Sequence, residues 1–207
     1  DLTKYPAAVM QSFTGPGGEV YAFPMQWTTI VLAYNKDFMD RRGMEYPSND
    51  WTIFDMQQTA KKLSAWGADG QIEARGLGFE NLHEYVWRLW DVPFTNEDMT
   101  QSGWSDPRTI EAWQWYVDLH RETAVGNMND FINGQLGMRL SWPHSLIAAA
   151  PTMTHAWDIA LHPIGAVGER VCRGAGAQWI IFTNSANREN AWELMKFLVS
   201  HEAQLGF

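Results

Sequence analysis

The stretch "HEYVW", residues 83–87, opens as a zinc-protease helix does, with a histidine followed by a glutamate. That chemistry needs a second imidazole four residues on, so that both rings face one metal. Position 87 is Trp, so no metal site is expected there. Glu80 and Glu84 are also four apart. They could act as an acid/base pair, but this spacing more often marks a solvated helix face. "RGAGAQW", residues 173–179, has the first glycine gap of a dinucleotide loop. Its third position is Trp179 and it leads into a strand pattern, the wrong context for cradling a phosphate. Neither a phosphate-loop lysine nor a nucleophile-elbow serine pattern occurs. His83 and His144 read as hydrogen-bonded structural histidines. Cys172 is the single cysteine, which excludes an internal disulfide and a thiolate-rich metal site. It reads as a small buried or idle thiol. The expectation is a protein without catalysis, metal or cofactor.

Composition narrows the partners. The 207 residues carry a formal net charge of -9 with 15 Lys plus Arg, and 45% are hydrophobic. A core is assured, in one large domain or two lobes. The basic residues cluster no further than the pairs Arg41–Arg42 and Lys61–Lys62. Nucleic acid and anionic membrane are excluded, because phosphate binding needs clustered cations, and a strongly anionic ligand is disfavoured. No apolar run reaches membrane-spanning length. The opening "DLTKYP" is neither cationic nor apolar, so the chain reads as cytosolic, processed, or part of something longer. Twelve tryptophans are too many to be central in a domain of this size. Some must be exposed, and exposed aromatic faces hold ring-shaped ligands, though Trp113 and Trp192 read as helix packing.

The elements that would position these residues alternate between strand and helix, which makes the class α/β. "VYAF" and "TIVLAY" read as strands, separated by a polar-aromatic lip, "PMQW", that no core requires. A helix follows over Asp37–Arg42. "WTIFDMQQTAKKLSAWG" is a helix capped by Thr52 with Asp55 in capping-box position, burying Phe54, Ala60 and Leu63 with Met56 at their flank, and stopped by Gly67. "ARGLGF" is a short strand. "NLHEYVWRLW" reads as a helix with Leu82, Val86, Leu89 and Trp90 inward. "SDPRTIEAWQWYVDLHRE" is a helix entered at Pro107, with Ile110, Trp113 and Val117 as its buried stripe. "FINGQLGMRLSWP" is a short helix, a glycine turn and a strand. "AWDIALHPIG" and "QWIIFT" are strands, and the last helix turns Ala191, Leu194, Met195 and Leu198 inward.

In ordered succession these parts resemble a known family. "VYAFPMQWTTIVLAYNKDFMDRRGMEYPSNDWTIFDMQQTAKKL", then "INGQLGMRLSWP", "WDIALHPIG" and "GAGAQWIIFTNSANRENAWELMKFLVSHEAQ", are similar to the extracellular sugar-binding proteins of ABC importers. These are the family-1 solute-binding proteins that include maltose-binding protein and its glycerophosphodiester-binding relatives. The resemblance implies a two-lobed, type II periplasmic-binding-protein fold, incomplete at both ends. Residues 1–29 would be part of lobe one with a hinge crossing, 30–160 lobe two, and 161–207 the hinge return with more of lobe one. It implies capture of a carbohydrate for uptake, without catalysis. The partners would be the transmembrane subunits of an ABC permease. The location would be periplasmic, or extracellular and membrane-anchored through a lipid or the permease. A Trp-rich carbohydrate-active enzyme or carbohydrate-binding module is the alternative; the enzyme would need a carboxylate pair across a cleft.

The resemblance also implies a ligand site. Gln26 and Thr28 would hydrogen-bond the sugar's edge, with Trp27 as a stacking platform. Glu80 and His83 would be polar contacts, and Tyr85 a second ring. Trp142 and His144 would present an aromatic at a strand end. Gly174, Ala175 and Gly176 would let the backbone approach closely.

Overall fold

In the computed structural model, which describes residues 5–96 and 98–204, the chain divides at Thr28/Thr29 and again at Arg173/Gly174. Residues on the outer sides of these points form a small unit, and Thr29–Arg173 form a large one. Helix α1 (Ala7–Gln11) and strand β1 (Phe23–Thr29) come first. The "PMQW" lip lies inside β1, whereas "VYAF" is strand only at its last residue. The cause is a turn at Gly15–Gly18, where Gly18 takes φ +87° and Val20 bridges to Thr14. Val20 to Ala22 follow that turn and are tied back to the segment before it, with Tyr21 N donating to Phe13 O.

The large unit follows. Strand β2 (Val31–Asn35) passes into helix α2 (Lys36–Arg41) at Asn35, whose Oδ1 accepts from Phe38 N at 2.9 Å. One asparagine thus ends the strand and caps the helix. Helix α3 (Ile53–Leu63) starts at the predicted capping box, with Asp55 N donating to Thr52 Oγ1 and Thr52 N to Asp55 Oδ2. It buries Ile53, Met56, Gln57, Ala60 and Leu63 and leaves Phe54 exposed. It also ends before Gly67, because Ser64 turns extended and its hydroxyl donates to Ala60 O. Strands β3 (Ala65–Trp66) and β4 (Ile72–Phe79) come next.

"NLHEYVWRLW" is not one helix. It forms two 3-10 turns, Leu82–Glu84 and Val86–Trp90, broken where Tyr85 leaves helical geometry at φ -146°. The inward set Leu82, Val86, Leu89 and Trp90 is nonetheless buried as expected. Helix α4 (Pro107–Glu122) is capped by Asp106. Its buried face is Thr109, Ala112, Trp115 and Leu119, and Ile110 is 73% exposed. The stripe is rotated from the predicted one because Trp115 turns inward to donate its Nε1 proton to Gln57 at 2.8 Å. Trp113 instead joins Trp87 and Trp104 in a three-ring cluster, with centroids 6.1 and 5.8 Å from theirs.

Strand β5 (Val125–Gly126), helix α5 (Met128–Ile132), strand β6 (Leu136–Ser141), helix α6 (Pro143–Ala149) and strand β7 (Trp157–Ala160) complete the large unit. The sheet order is β3-β4-β6-β2-β7, with β5 beside β4. Strands β4 and β6 are parallel, and β2 is antiparallel to β6 and β7. Val31 pairs with Ser141 and Phe79 with Leu140, so the carboxyl ends of β4 and β6 and the start of β2 share one end of the sheet. Residues 161–173 remain with this unit: Ile53 N donates to Ile164 O, Ala166 N to Leu89 O, and Arg170 to the carbonyls of His162 and Asn49.

The small unit resumes with strand β8 (Gly174–Trp179), paired with β1, then helices α7 (Arg188–Leu198) and α8 (His201–Gln204). The strand lies N-terminal to the expected "QWIIFT", of which only Gln178 and Trp179 belong to it. Of the apolar set predicted to face inward on α7, only Met195 is buried.

Candidate functional site

In open α/β sheets, ligands gather at the carboxyl ends of the strands. In the large unit that end carries residues 80–85, 141–144 and the 172–173 segment. Strand β6 is buried at every position, so the charge of Arg139 within it needs a partner. It finds Glu80, the first residue past β4, at 2.7 Å. Glu80's second oxygen accepts from Ser141 Oγ at 3.1 Å and Trp142 N at 3.2 Å. Glu80 is therefore neither on a helix face nor a free polar contact. It ties the end of β4 to the turn that presents Trp142.

A second pair lies alongside. Glu84 accepts from Asn81 Nδ2 and binds Arg173 at 2.8 Å. The Arg173 guanidinium lies 5.5 Å from the centroid of the Trp142 ring. Trp142 and His144 are near-parallel, with centroids 6.3 Å apart and 17° between the ring planes. Trp142 is only 9% exposed, so it is not an open platform in this structure. Arg173's carbonyl accepts from Thr29 Oγ1 and Ile30 N, and Thr29 Oγ1 also meets the Cys172 thiol. Both arginines of this region are thus matched one-to-one by glutamates.

Tyr85 departs most from its expected role. It is 3% exposed, and its hydroxyl lies 2.9 Å from His162 Nε2. His162 Nδ1 faces the Pro163 carbonyl at 2.9 Å, which can only accept. Nδ1 therefore carries the imidazole proton, and Tyr85 donates to Nε2. Burial pushes His162 down to about 4 and raises the Tyr85 hydroxyl above its usual range. A neutral, internally bonded pair offers no free stacking face, so Tyr85 is a core residue. His83 and His144 are both exposed.

The small unit offers a different surface. Trp27 is 42% exposed, and Phe13 meets its ring edge-on at 6.2 Å. The ring lies across β8: a methyl at Gly174 would come within 2.7 Å of it, and one at Gly176 within 2.8 Å of it and 2.7 Å of Gln26 O. Gly174 and Gly176 do permit a close approach, but the approaching group is the indole. Ala175, between them, points to the opposite face of the strand. Alternation along β1 likewise turns Gln26 and Thr28 away from the Trp27 face, so these three do not converge on one surface.

The large unit therefore brings together Glu80, Trp142 and His144, and the small unit Trp27, Gly174 and Gly176. Arg139, Ser141, His162 and Arg173 are structural partners that motif reading missed. Arg139 alone had a signal, as a lone charge inside the apolar run "LGMRLSW". Among the described residues, no group of His, Cys, Asp and Glu could hold a metal ion, and no helix is long and apolar enough to cross a membrane.

The bacterial extracellular solute-binding protein family matches residues 1–207. A putative binding protein of Brucella abortus (strain 2308) is 25% identical over 225 residues, covering 99% of this chain and 53% of its own length. An ABC substrate-binding protein from Listeria monocytogenes, solved with cycloalternan, superposes with TM-score 0.84 at 21% identity, over 99% of this chain and 54% of that one. Maltose-bound MalE3 of T. maritima superposes with TM-score 0.77 at 23% identity, over 99% and 56%. The chain spans about half the length of these relatives. The fold is that of the two-lobed α/β solute-binding proteins, and the chain belongs to the bacterial extracellular solute-binding protein family.

Proposed function

We propose that this chain captures a neutral carbohydrate outside the cytoplasm and delivers it unaltered to the membrane subunits of an ABC importer. The small and large units serve as contributions to the two lobes, and a lipid anchor or the permease keeps the protein at the membrane. Trp27 is the observation that carries this reading. An indole supported on one side by glycine backbone and still 42% exposed is a rigid apolar platform of the kind that stacks on the C–H face of a sugar. Covering ~100 Å² of such a ring contributes roughly 2.5 kcal/mol. Two such contacts and several hydrogen bonds suffice for the ~8 kcal/mol of a micromolar complex.

Charge supports neutrality of the ligand. Arg139 and Arg173 are already neutralised by Glu80 and Glu84, so neither waits for an anion. The same pairing counts against catalysis, because the two carboxylates that could act as acid and base are committed to arginines. Similar structures hold cycloalternan, maltose and tagatose, and others hold D-mannitol, ribitol or acarbose, so neutral sugars are well represented among them.

Calorimetric titration with tagatose, ribitol, maltose and cycloalternan at low and high salt tests the proposal. The expected result is saturable binding of at least one, weakly dependent on salt, with the sugar recovered intact. Trp27→Ala should cost about 1 to 3 kcal/mol of affinity. Binding confined to phosphorylated ligands and abolished by salt would refute it, as would an unchanged affinity in Trp27→Ala.

A further inference from the structure

Trp142 sits where a sugar platform is expected, yet its ring is covered. His144 lies near-parallel to it at 6.3 Å. Arg173 lies over the ring at 5.5 Å, and Glu84 pairs with the guanidinium at 2.8 Å. Both members of the pair keep about a third of their side-chain surface exposed. They can therefore rearrange without breaking a core, unlike Arg139, whose side chain is 5% exposed. The main chain of Arg173 is fixed independently, through Thr29 Oγ1 and Ile30 N on its carbonyl. Only the side chain is free to swing.

We infer that Arg173 is a specificity-determining placeholder, a guanidinium that occupies the Trp142 face until a neutral sugar ring displaces it. This rests on the reading that the protein binds carbohydrate. A guanidinium and a pyranose both stack on the electron-rich face of an indole, so a ring that enters on the side Arg173 covers must displace it. The displaced guanidinium stays paired with Glu84, so no charge is stranded. A ligand must offer enough apolar face to displace a cation–π contact.

Two measurements decide the matter. In protein labelled with 5-fluorotryptophan, the Trp142 resonance is assigned by its loss in Trp142→Phe, and its broadening by a soluble paramagnetic gadolinium chelate is followed without any ligand. Trp142 should be shielded in the native protein and exposed in Arg173→Ala. Equal shielding in both would overturn the inference whatever the protein binds. The second measurement is affinity for the sugar that binds best among tagatose, maltose and cycloalternan. Arg173→Ala should bind about two- to fivefold more tightly, the equivalent of one cation–π contact released. Glu84→Gln, which loosens the hold on the guanidinium, should move affinity in the same direction by less. A loss of affinity in Arg173→Ala would show that Arg173 contacts the ligand, and no change that it is a bystander; either refutes the placeholder. If no sugar binds even the native protein, the carbohydrate reading fails, and the gadolinium measurement still decides whether Arg173 covers Trp142.

Discussion

Two indoles of this molecule are prepared in opposite ways. Trp27, in the small unit, lies on bare backbone, with Gly174 and Gly176 beneath it and Phe13 at its edge. Trp142, in the large unit, follows a strand end fixed by a buried ion pair and lies under a guanidinium. The first is held by absence of side chains, the second by a network of charges. A glycine floor is indifferent to pH and salt, whereas a charge network fixes geometry only while every member is present. Trp27 should therefore behave as a constant platform and Trp142 as a conditional one.

The sharpest way to break this contrast is to cut the network. Glu80→Ala leaves Arg139 buried without its carboxylate and removes the acceptor for Trp142 N. Glu80 keeps 24% of its side-chain surface exposed, so the cost sits at the lower end for a buried pair, about 3 kcal/mol, read as a fall in the urea midpoint of the large unit. A change below 1 kcal/mol would mean that the pair does not hold the strand ends. Acid acts on the neighbouring support. His162 is held neutral by burial, with its folded value near 4. An unfolded histidine titrates near 6.5, so between these values the unfolded state takes up a proton that the folded state refuses. Stability is full above pH 6.5 and falls by roughly 3 kcal/mol as pH drops to about 4. Unfolding free energies measured across this window should show that slope, and His162→Gln should flatten it.

The small unit responds to bulk instead of charge. Gly176→Ala places a methyl 2.7 Å from the Gln26 carbonyl and 2.8 Å from the Trp27 ring. The backbone oxygen cannot yield as a side chain can, so β1 and β8 must part or the indole must lift. The expected cost is about 1 to 3 kcal/mol, with a changed Trp27 emission isolated by difference from Trp27→Phe. An alanine accepted without either effect would show that the glycine floor is not what holds the ring.

Local chemistry was legible in the sequence and tertiary commitment was not. The Thr52–Asp55 box, Pro107 at the entrance of α4 and the glycine turn before β6 act within a few residues, and all form as expected. The 3.6-residue period of α4 was equally visible, but its phase was not, because the phase is set by Trp115 reaching Gln57, 58 residues away in sequence. Tyr85 looked like a ligand ring because nothing nearby marks His162 as its partner, 77 residues on. Trp27 was legible as an exposed aromatic, while its glycine support required knowing that β8 lies beside β1. The ordered succession of motifs identified the family although individual motifs were weak, since order along the chain survives when side-chain partners cannot be read.

The smallest predicted effect separates general loss of stability from loss of the network. Thr52 Oγ1 accepts from Asp55 N at 3.2 Å, and Asp55 Oδ2 accepts from Thr52 N at 2.9 Å. The box sits at the start of α3, beside the Ile164 segment and far in sequence from Glu80 and Trp142. Thr52→Ala removes the cap and should cost about 1 kcal/mol. Hydrogen bonds from Thr52 also hold the Asp55 carboxyl below its ordinary value. Asp55 therefore adds stability that is present above pH ~3.8 and is lost as pH falls below it. Thr52→Ala should diminish that acid-sensitive part while leaving the slope due to His162 in place. Trp142, reported by its fluorine resonance, should not move. If it does move, the strand end is coupled to the stability of the whole large unit, and the contrast between a constant and a conditional indole loses its basis in the Glu80 network.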